Sequence, residues 1–353
     1  MRRVVLICFC LAICLTAALV AGEGARAAQP PRIIAIGDVH GAADSFAAML
    51  RKAGLIDEQR RWVGGNAVLV QTGDMSDRGT GMREALDLLM SLERQAAAAG
   101  GRVHALLGNH EVMNLVGETR DVTPEIFATF GGEDAMRAAF GPKGQYGKWL
   151  RTKPIIAEVQ GSIFLHGGIN LAFSKATLSE VNRRARREIE EWDEGVKWLV
   201  QRKLVPATPK FLEVVEAARV EVQALSVAAK RDLPETREAA AVLLPLANIG
   251  ASSLFHPSGP LWFRGYSTWT DQEGDAQIAD ILKTLRGKRL VTGHTVQPGG
   301  RITERFGGRL FLIDTGMLGG RFFPSGRPSA LEITGDSVKP LYLDPPADPA
   351  GGR

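Results

Sequence analysis

Residues 33–41 read Ile-Ile-Ala-Ile-Gly-Asp-Val-His-Gly, an apolar run that passes directly into a polar cluster led by glycine. The same pattern recurs twice, where Ala67 to Gln71 precedes Gly73-Asp74 and where Val103 to Leu107 precedes Gly108-Asn109. Short apolar runs that end at a glycine are typical of buried strands. We therefore predict three strands, each followed at its carboxyl end by a polar cluster.

Helical patterns separate these strands. Apolar residues at the i, i+3, i+4 and i+7 spacing run from Phe46 to Ala53, and a looser pattern from Leu86 to Leu92 stops before Gly100-Gly101. Strands that alternate with helices form a parallel sheet, which brings the carboxyl ends of its strands to one edge. We expect the three polar clusters to meet at that edge.

The rest of the chain predicts hairpins and a helical insertion. Turns at Gln160-Gly161 and Gly335-Asp336 each separate two strand-like runs, which indicates two hairpins and therefore mixed sheets. The stretch 171–250 is rich in Ala, Glu and Arg and lacks strand-like alternation, so we expect a helical insertion there, with a coiled-coil dimer segment as the alternative. The predicted fold class is α/β: two mixed β-sheets flanked by helices over residues 31–343, with a disordered tail at 344–353.

The N-terminus has the three-part organisation of a secretory signal peptide. Arg2 and Arg3 precede an apolar run from Val4 to Ala21, and Ala25-Arg26-Ala27 fits a cleavage site. We expect residues 1–27 to be removed, a periplasmic or secreted location, and no stable membrane span after cleavage; an uncleaved membrane anchor is the alternative. The mature chain would contain no thiol, because all cysteines lie in the leader: Cys8, Cys10 and Cys14.

The overall charge gives no indication of a nucleic-acid partner. The chain has a net charge of +4, and the leader contains three arginines and one glutamate, so its removal lowers the net charge to +2. A protein that binds nucleic acid in general carries a pronounced basic surface. We therefore expect no nucleic-acid partner.

Five polar clusters together supply side chains that bind metal ions. In chain order they are Gly37-Asp38-Val39-His40-Gly41, Gly73-Asp74-Met75-Ser76-Asp77-Arg78-Gly79, Gly108-Asn109-His110-Glu111, His166-Gly167-Gly168 and Gly293-His294-Thr295. Carboxylate, amide and imidazole ligands suit Mn, Fe or Zn, whereas the absence of thiolates argues against a structural zinc site. Six such ligands can hold two divalent or trivalent ions if one carboxylate bridges them. Such a centre suits phosphomonoester hydrolysis, which is extremely slow without a catalyst.

Three of these clusters resemble the signature of the phosphoprotein phosphatase family: Gly-Asp-x-His-Gly, Gly-Asp-x-x-Asp-Arg-Gly and Gly-Asn-His-Glu. The surrounding sequence is similar to the bacterial Shewanella-like branch of that family, notably Leu165-His166-Gly167-Gly168, Pro260-Leu261-Trp262-Phe263-Arg264 and Val291-Thr292-Gly293-His294-Thr295-Val296. The resemblance implies a calcineurin-like metallophosphatase sandwich. It also implies hydrolysis of a phosphorylated protein, a peptide or a small phosphomonoester, by direct attack of a hydroxide that bridges two metals.

The resemblance further implies a role for each site residue. One metal would be bound by Asp38, His40 and Asp74, and the other by Asp74, Asn109, His166 and His294, so that Asp74 bridges the two. His110 would be the general acid and Asp77 its partner. The residues that would contact the substrate phosphate are Arg78, Asn109 and Arg264. For Arg264 a structural salt bridge is the alternative, and Glu111 is expected to support the ligands from behind.

Two other functions remain open at this point. A symmetrical dinucleoside tetraphosphate hydrolase shares much of the metal motif, although that class typically has aspartate where this chain has Glu111. A catalytically inactive, metal-bound binding module is the second alternative. Such a module would need neither the expected acid His110 and its partner Asp77 nor the expected phosphate ligand Arg78.

Overall fold

The computed structural model describes residues 30–170, 173, 175–228 and 234–343. The expected signal peptide at 1–27 and the expected disordered tail at 344–353 lie outside this part of the chain. None of the helices in the described ranges combines the length and apolar character that crossing a membrane requires.

Two five-stranded sheets form the centre of the described fold. Their orders are β10-β9-β1-β2-β3 and β4-β5-β6-β8-β7. The strands are β1 (Ile33–Ile36), β2 (Val68–Gln71), β3 (Arg102–Ala105), β4 (Ile156–Val159), β5 (Ser162–Leu165), β6 (Arg289–Thr292), β7 (Thr303–Arg305), β8 (Leu310–Leu312), β9 (Ser329–Thr334) and β10 (Ser337–Tyr342).

Both sheets are mixed, with a parallel set of three strands in each. Strands β1, β2 and β3 run parallel, as do β5, β6 and β8, and the remaining pairings are antiparallel. The hairpins predicted at Gln160-Gly161 and Gly335-Asp336 are β4–β5 and β9–β10. Each sheet therefore presents three carboxyl strand ends at one edge, where ligands bind in folds of this kind.

The first strand shows why these runs are apolar throughout. Ile33 and Ala35 belong to a core between the two sheets, whereas Ile34 and Ile36 belong to a core between sheet and helices. A strand covered on both faces has no polar alternation, because both sets of side chains are buried. All four residues have no exposed surface.

Helices fill the segments between the strands. They are α1 (Ala43–Lys52), α2 (Met82–Ala98), α3 (Asn109–Leu115), α4 (Pro124–Phe130), α5 (Glu133–Phe140), α6 (Gln145–Leu150), α7 (Leu178–Gln201), α8 (Phe211–Ala228), α9 (Pro234–Ala247), α10 (Gly265–Thr268) and α11 (Asp271–Leu285), with short 3₁₀ turns at Ile249–Ala251 and Pro298–Gly300. The longest, α7, begins at a capping box in which Thr177 and Glu180 satisfy each other's backbone N–H groups.

The segment predicted to be a helical insertion contains α7, α8 and α9. These helices pack around a small core of their own, in which the buried ring of Trp192 stacks on Phe211 with centroids 5.4 Å apart. Phe211 stacks in turn on Phe255, at 5.7 Å. The helices thus pack on one another within the chain, whereas Leu212, Val220 and Leu244 are exposed. The choice between an insertion and a coiled-coil dimer segment stays a prediction.

Candidate active site

Every predicted metal ligand lies just beyond the carboxyl end of a parallel strand. Asp38 and His40 follow β1, Asp74 follows β2, Asn109 begins α3 beyond β3, His166 follows β5 and His294 follows β6. All six side chains are buried. The sandwich thus brings the predicted ligands from both sheets to one place.

The carboxylate of Asp74 lies at the centre of the group. Its Oδ2 is 3.3 Å from Nε2 of His166 and 3.7 Å from Nε2 of His40. On one side, Nε2 of His166 is 2.9 Å from Oδ1 of Asn109 and 3.1 Å from Nδ1 of His294. On the other, Nε2 of His40 is 3.8 Å from Oδ2 of Asp38. Asp74 therefore separates two sets of ligand atoms and faces both, as a bridging carboxylate would.

Hydrogen bonds fix which imidazole nitrogen faces the centre. Nδ1 of His40 lies 2.9 Å from the carbonyl oxygen of Ser76, and Nδ1 of His166 lies 3.0 Å from that of Thr72. A carbonyl only accepts, so each Nδ1 donates a hydrogen bond and each Nε2 carries the lone pair; that of His40 accepts from Arg78 in this structure and is the lone pair that would bind a metal. Burial lowers the pKa of His40 well below its ordinary value, and that of His294 to about 2. Neutral imidazole is the form that binds a metal.

The turns that carry the ligands have an uncommon backbone conformation. His40, Asp74 and His294 have φ values of 46°, 56° and 68°, in the left-handed region that few residues other than glycine adopt. The loops are also in close contact, because a Cβ on Gly73 would lie 2.4 Å from the backbone nitrogen of Gly108. Such conformations persist only where the surroundings hold them, which is typical of functional sites.

Negative charge accumulates at the centre with little compensation. Asp38, Asp74 and Asp314 are at most 4 % exposed. Burial raises the pKa of Asp38 well above its usual range, and the charges of Asp314 and Asp74 raise it further; burial also raises the pKa of Asp314 to about 6. Although burial acts in the same direction on Asp74, the neighbouring His166 and His110 hold its pKa well below the ordinary value. Buried like charges are costly unless cations balance them, so this donor set fits metal ions.

Geometry alone also makes His110 a candidate metal ligand. Two triads converge closely enough to hold an ion, Asp74 with His166 and His294, and Asp74 with His40 and His110. The second triad contains His110, the predicted general acid, in place of the predicted ligand Asp38. Nε2 of His110 is 3.8 Å from Oδ2 of Asp74 and faces the space beside the ligands. That position suits either a proton donor to a bound substrate or a metal ligand. Substituting His110 has different effects in the two cases.

His110 forms a buried pair with Asp77. Nδ1 of His110 donates to Oδ2 of Asp77 at 2.7 Å, and Nδ2 of Asn114 donates to the other carboxylate oxygen at 2.8 Å. Burial by itself lowers the pKa of His110, but Asp74 and Asp77 outweigh it and raise that pKa to about 9. The imidazolium is thus the favoured form at neutral pH, with Nε2–H directed at the centre.

The guanidinium of Arg78 lies between His40 and His110. It contacts Nε2 of both rings, at 3.2 Å from that of His110, and lies 5.4 Å from the ring centre of Phe323. Within the described ranges it has no carboxylate partner. A cation that enters the site without a partner anion is placed to receive an oxyanion such as phosphate.

Arg264 lies at the rim of the site. Its Nη1 donates to the carbonyl oxygen of His294 at 3.1 Å and to Oγ1 of Thr295 at 2.9 Å. Among the described residues Arg264 forms no salt bridge. The structure therefore does not show the structural salt bridge that was the alternative role for this residue. Arg264 and Trp262 also line an open cavity of about 480 Å³ beside His294.

Glu111 supports the site from behind. Its carboxylate accepts the backbone N–H groups of Asp74, Ser76 and Gly108, at 2.7, 3.0 and 2.9 Å. Three such bonds fix the loops after β2 and β3 against each other. Glu111 thus holds the backbone of a ligand without itself entering the group of ligand atoms.

Two residues beside the ligands were not predicted. Asp314, just after β8, is buried next to Asp38, and the ring of Phe323 stacks on His40 at 5.9 Å. Asp314 follows the apolar run Leu310–Leu312 in the same way that Asp38 follows β1, so the pattern used for the five clusters could have found it. Phe323 follows no strand and has no sequence signal.

Comparisons with known proteins agree with this geometry. The profile of a protein family described as calcineurin-like phosphoesterase matches residues 31–298. Shewanella-like protein phosphatase 1 of Plasmodium berghei (strain Anka) is 30% identical over 318 residues, which cover 88% of this chain and 74% of that protein. Shewanella-like protein phosphatase 2 of Arabidopsis thaliana is 28% identical over 370 residues, which cover 90% and 81%.

A similar fold occurs among solved structures. The cold-active protein-tyrosine phosphatase of a psychrophile, Shewanella sp., has a TM-score of 0.61 and 26% identity to this chain, and the match covers 88% of this chain and 80% of that one. The predicted fold class, two mixed sheets flanked by helices in a calcineurin-like arrangement, is confirmed.

Proposed function

This chain belongs to the calcineurin-like phosphoesterase family, in the group of Shewanella-like protein phosphatases, and from that premise we propose that it is a metal-dependent phosphatase that removes phosphate from phosphoproteins or phosphopeptides. One observation carries the proposal. The buried carboxylate of Asp74 faces two sets of ligand atoms, and the pair His110–Asp77 and the guanidinium of Arg78 enter the same space.

The protein's own residues orient the substrate and supply a proton. Arg78 can bind two oxygens of the phosphate through its planar guanidinium. His110 carries a proton on Nε2 and can pass it to the leaving oxygen of a serine, threonine or tyrosine side chain. Asp77 accepts a hydrogen bond from Nδ1–H of His110, which fixes the ring's orientation and stabilises its charged form.

The metal ions would be held by residues from both sheets. Asp38, His40 and Asp74 would hold one, and Asp74, Asn109, His166 and His294 the other. When bound, the two ions would supply Lewis-acid activation of water and positive charge opposite the phosphate. We propose Mn, Fe or Zn, because carboxylate, amide and imidazole donors suit these ions. Asn109 and Arg264 are proposed as further phosphate contacts.

A combined metal and substrate assay tests this function. Purified protein would be analysed for bound metal and then given phosphotyrosine and phosphoserine peptides, a small aryl phosphate and a dinucleoside tetraphosphate. We expect two metals per chain and turnover of the phosphopeptides. Hydrolysis of the dinucleotide alone would reject the proposal in favour of a nucleotide hydrolase, and metal binding without turnover would favour a binding module.

We also propose that the protein is exported, on the basis of its leader sequence. The leader joins a basic start and an apolar run to a small-residue cleavage site, and the remaining chain has no cysteine. Mass spectrometry of the protein from its own cells should find an N-terminus near Ala28. A soluble cytoplasmic form that begins at Met1 would contradict export.

A further inference from the structure

A cavity lined by several arginines lies beside the loop that carries His166. Its volume is about 450 Å³, and its lining includes Glu180, Arg183, Arg184 and Arg187 of α7 together with Ser253 and Pro260. We call it the arginine cavity. The carbonyl oxygen of Pro260 accepts the N–H groups of Gly167 and Gly168, both at 3.0 Å. The cavity wall is thus hydrogen-bonded to the two residues that follow a metal ligand.

The acidic residues near the cavity compensate its arginines only in part, because Glu188 pairs with Arg184 and Glu180 interacts electrostatically with Arg183. Glu180 is engaged at the start of α7, where it accepts the backbone N–H and the hydroxyl of Thr177 at 2.7 and 2.8 Å. Glu188 accepts N–H groups from Ser253 and Leu254, and also binds Arg184 at 3.0 Å. Within the described residues Arg183 and Arg187 make no hydrogen bond or ion pair.

Arg183 and Arg187 are four residues apart and therefore neighbours on one face, where like charges repel. Two exposed guanidinium groups at one cavity, neither in a hydrogen bond or ion pair among the described residues, suit an anion with several oxygens, such as a phosphate.

We propose that the arginine cavity binds a second phosphorylated residue of the same substrate chain while the first is hydrolysed at the metal site. The inference rests on the proposed function and specifies its substrate class: phosphoproteins with clustered phosphates. The two sites are joined through Pro260 and the loop after His166, so the two phosphates should be a few residues apart on an extended substrate.

Kinetics with paired peptides test this inference. One set carries a single phosphoserine. The other adds a non-hydrolysable phosphonate analogue of phosphoserine at spacings from about two to about eight residues, since an extended chain advances about 3.3 Å per residue. The variant is Arg183→Gln/Arg187→Gln. The control, Arg186→Gln/Lys197→Gln, removes the same charge from exposed positions of α7 outside the cavity.

At the best spacing we expect the second group to lower KM about tenfold in the wild type and the control, the size of one charge-assisted contact. In Arg183→Gln/Arg187→Gln the second group should lower KM by less than about twofold. Hydrolysis of the singly phosphorylated peptide should be unchanged, which also shows that the variant is folded. The inference is overturned if no spacing lowers KM in the wild type, if the gain persists in the variant, or if the control loses it equally. A glutamate that works as well as the phosphonate would overturn the assignment to phosphate. If the wild type hydrolyses no phosphopeptide at all, the proposed function itself fails.

Discussion

Replacing His110 with asparagine should remove the proton donor while leaving its surroundings in place. The asparagine amide can donate to Asp77 from about the position of the histidine Nδ1, whose bond is 2.7 Å long. An unfilled bond to this buried carboxylate would cost about 1–3 kcal/mol. Because the amide can fill it, and Asn114 still donates to the other oxygen, we expect a loss in the free energy of unfolding below about 1 kcal/mol.

The catalytic loss should depend on the leaving group. A serine alkoxide leaves poorly without a proton, so His110→Asn should lower kcat on a phosphoserine peptide by about 10²- to 10⁴-fold. An activated aryl phosphate needs little protonation and should lose about tenfold or less. Asp77→Asn should show the same pattern in weaker form, because it disturbs the orientation and charge of the ring without removing it.

Steady-state kinetics on both substrates, with metal analysis of each variant, measure this difference. His104→Asn is a matched control, because it makes the same change in a half-buried histidine on β3 outside the site. The control should leave both rates unchanged. Loss of metal from His110→Asn, or equal slowing on both substrates, would mean that His110 is a ligand or a phosphate contact and that the acid has been misassigned.

Three further predictions concern the metal centre and the packing. Asp74→Asn should lose both metals and activity together, because its carboxylate faces both ligand sets; full occupancy by elemental analysis would exclude a bridge. Gly73→Ala should lower the free energy of unfolding by more than about 2 kcal/mol in denaturant titrations. The reason is that the added Cβ would lie 2.4 Å from the Gly108 nitrogen, on a residue whose φ is 97°. An unchanged midpoint would contradict that contact. Trp192→Ala should lower the free energy of unfolding by about 3–5 kcal/mol in the same titrations, because the Trp192 ring is buried against Phe211. A loss below about 1 kcal/mol would indicate that the insertion core is loosely packed.

The sequence predicted the parts of the fold in which the pattern of apolar residues matches the burial of their side chains. The run 33–36 is apolar because both faces of β1 are covered, and the glycine after it ends the strand, so the position of Asp38 could be predicted from sequence. The third strand was displaced: it was predicted at Val103 to Leu107 and observed at Arg102–Ala105. Leu107 donates its N–H to Pro154 rather than to β2, so the apolar run continues beyond the strand.

Other features depend on contacts that no local pattern records. The short helices α3 to α6 are too brief to show a helical period, and α5 and α6 follow glycines that give no side-chain capping signal. Among the described site residues, the place of Phe323 against His40 is set by the return of a loop from a distant part of the chain. The supporting role predicted for Glu111 agrees with its three backbone contacts. The roles assigned to individual metal ligands stay predictions until ions are measured.

The contact between Asp38 and His294 has a consequence for how the protein acquires its activity. The backbone N–H of His294 donates to Oδ1 of Asp38 at 3.0 Å, across 256 positions of the chain. Contacts so distant in sequence form slowly, because closing so large a loop costs entropy. During refolding, helical signal should therefore recover well before tight metal uptake. The metals would bind only after the two sheets have docked, so their capture marks completion of the tertiary fold.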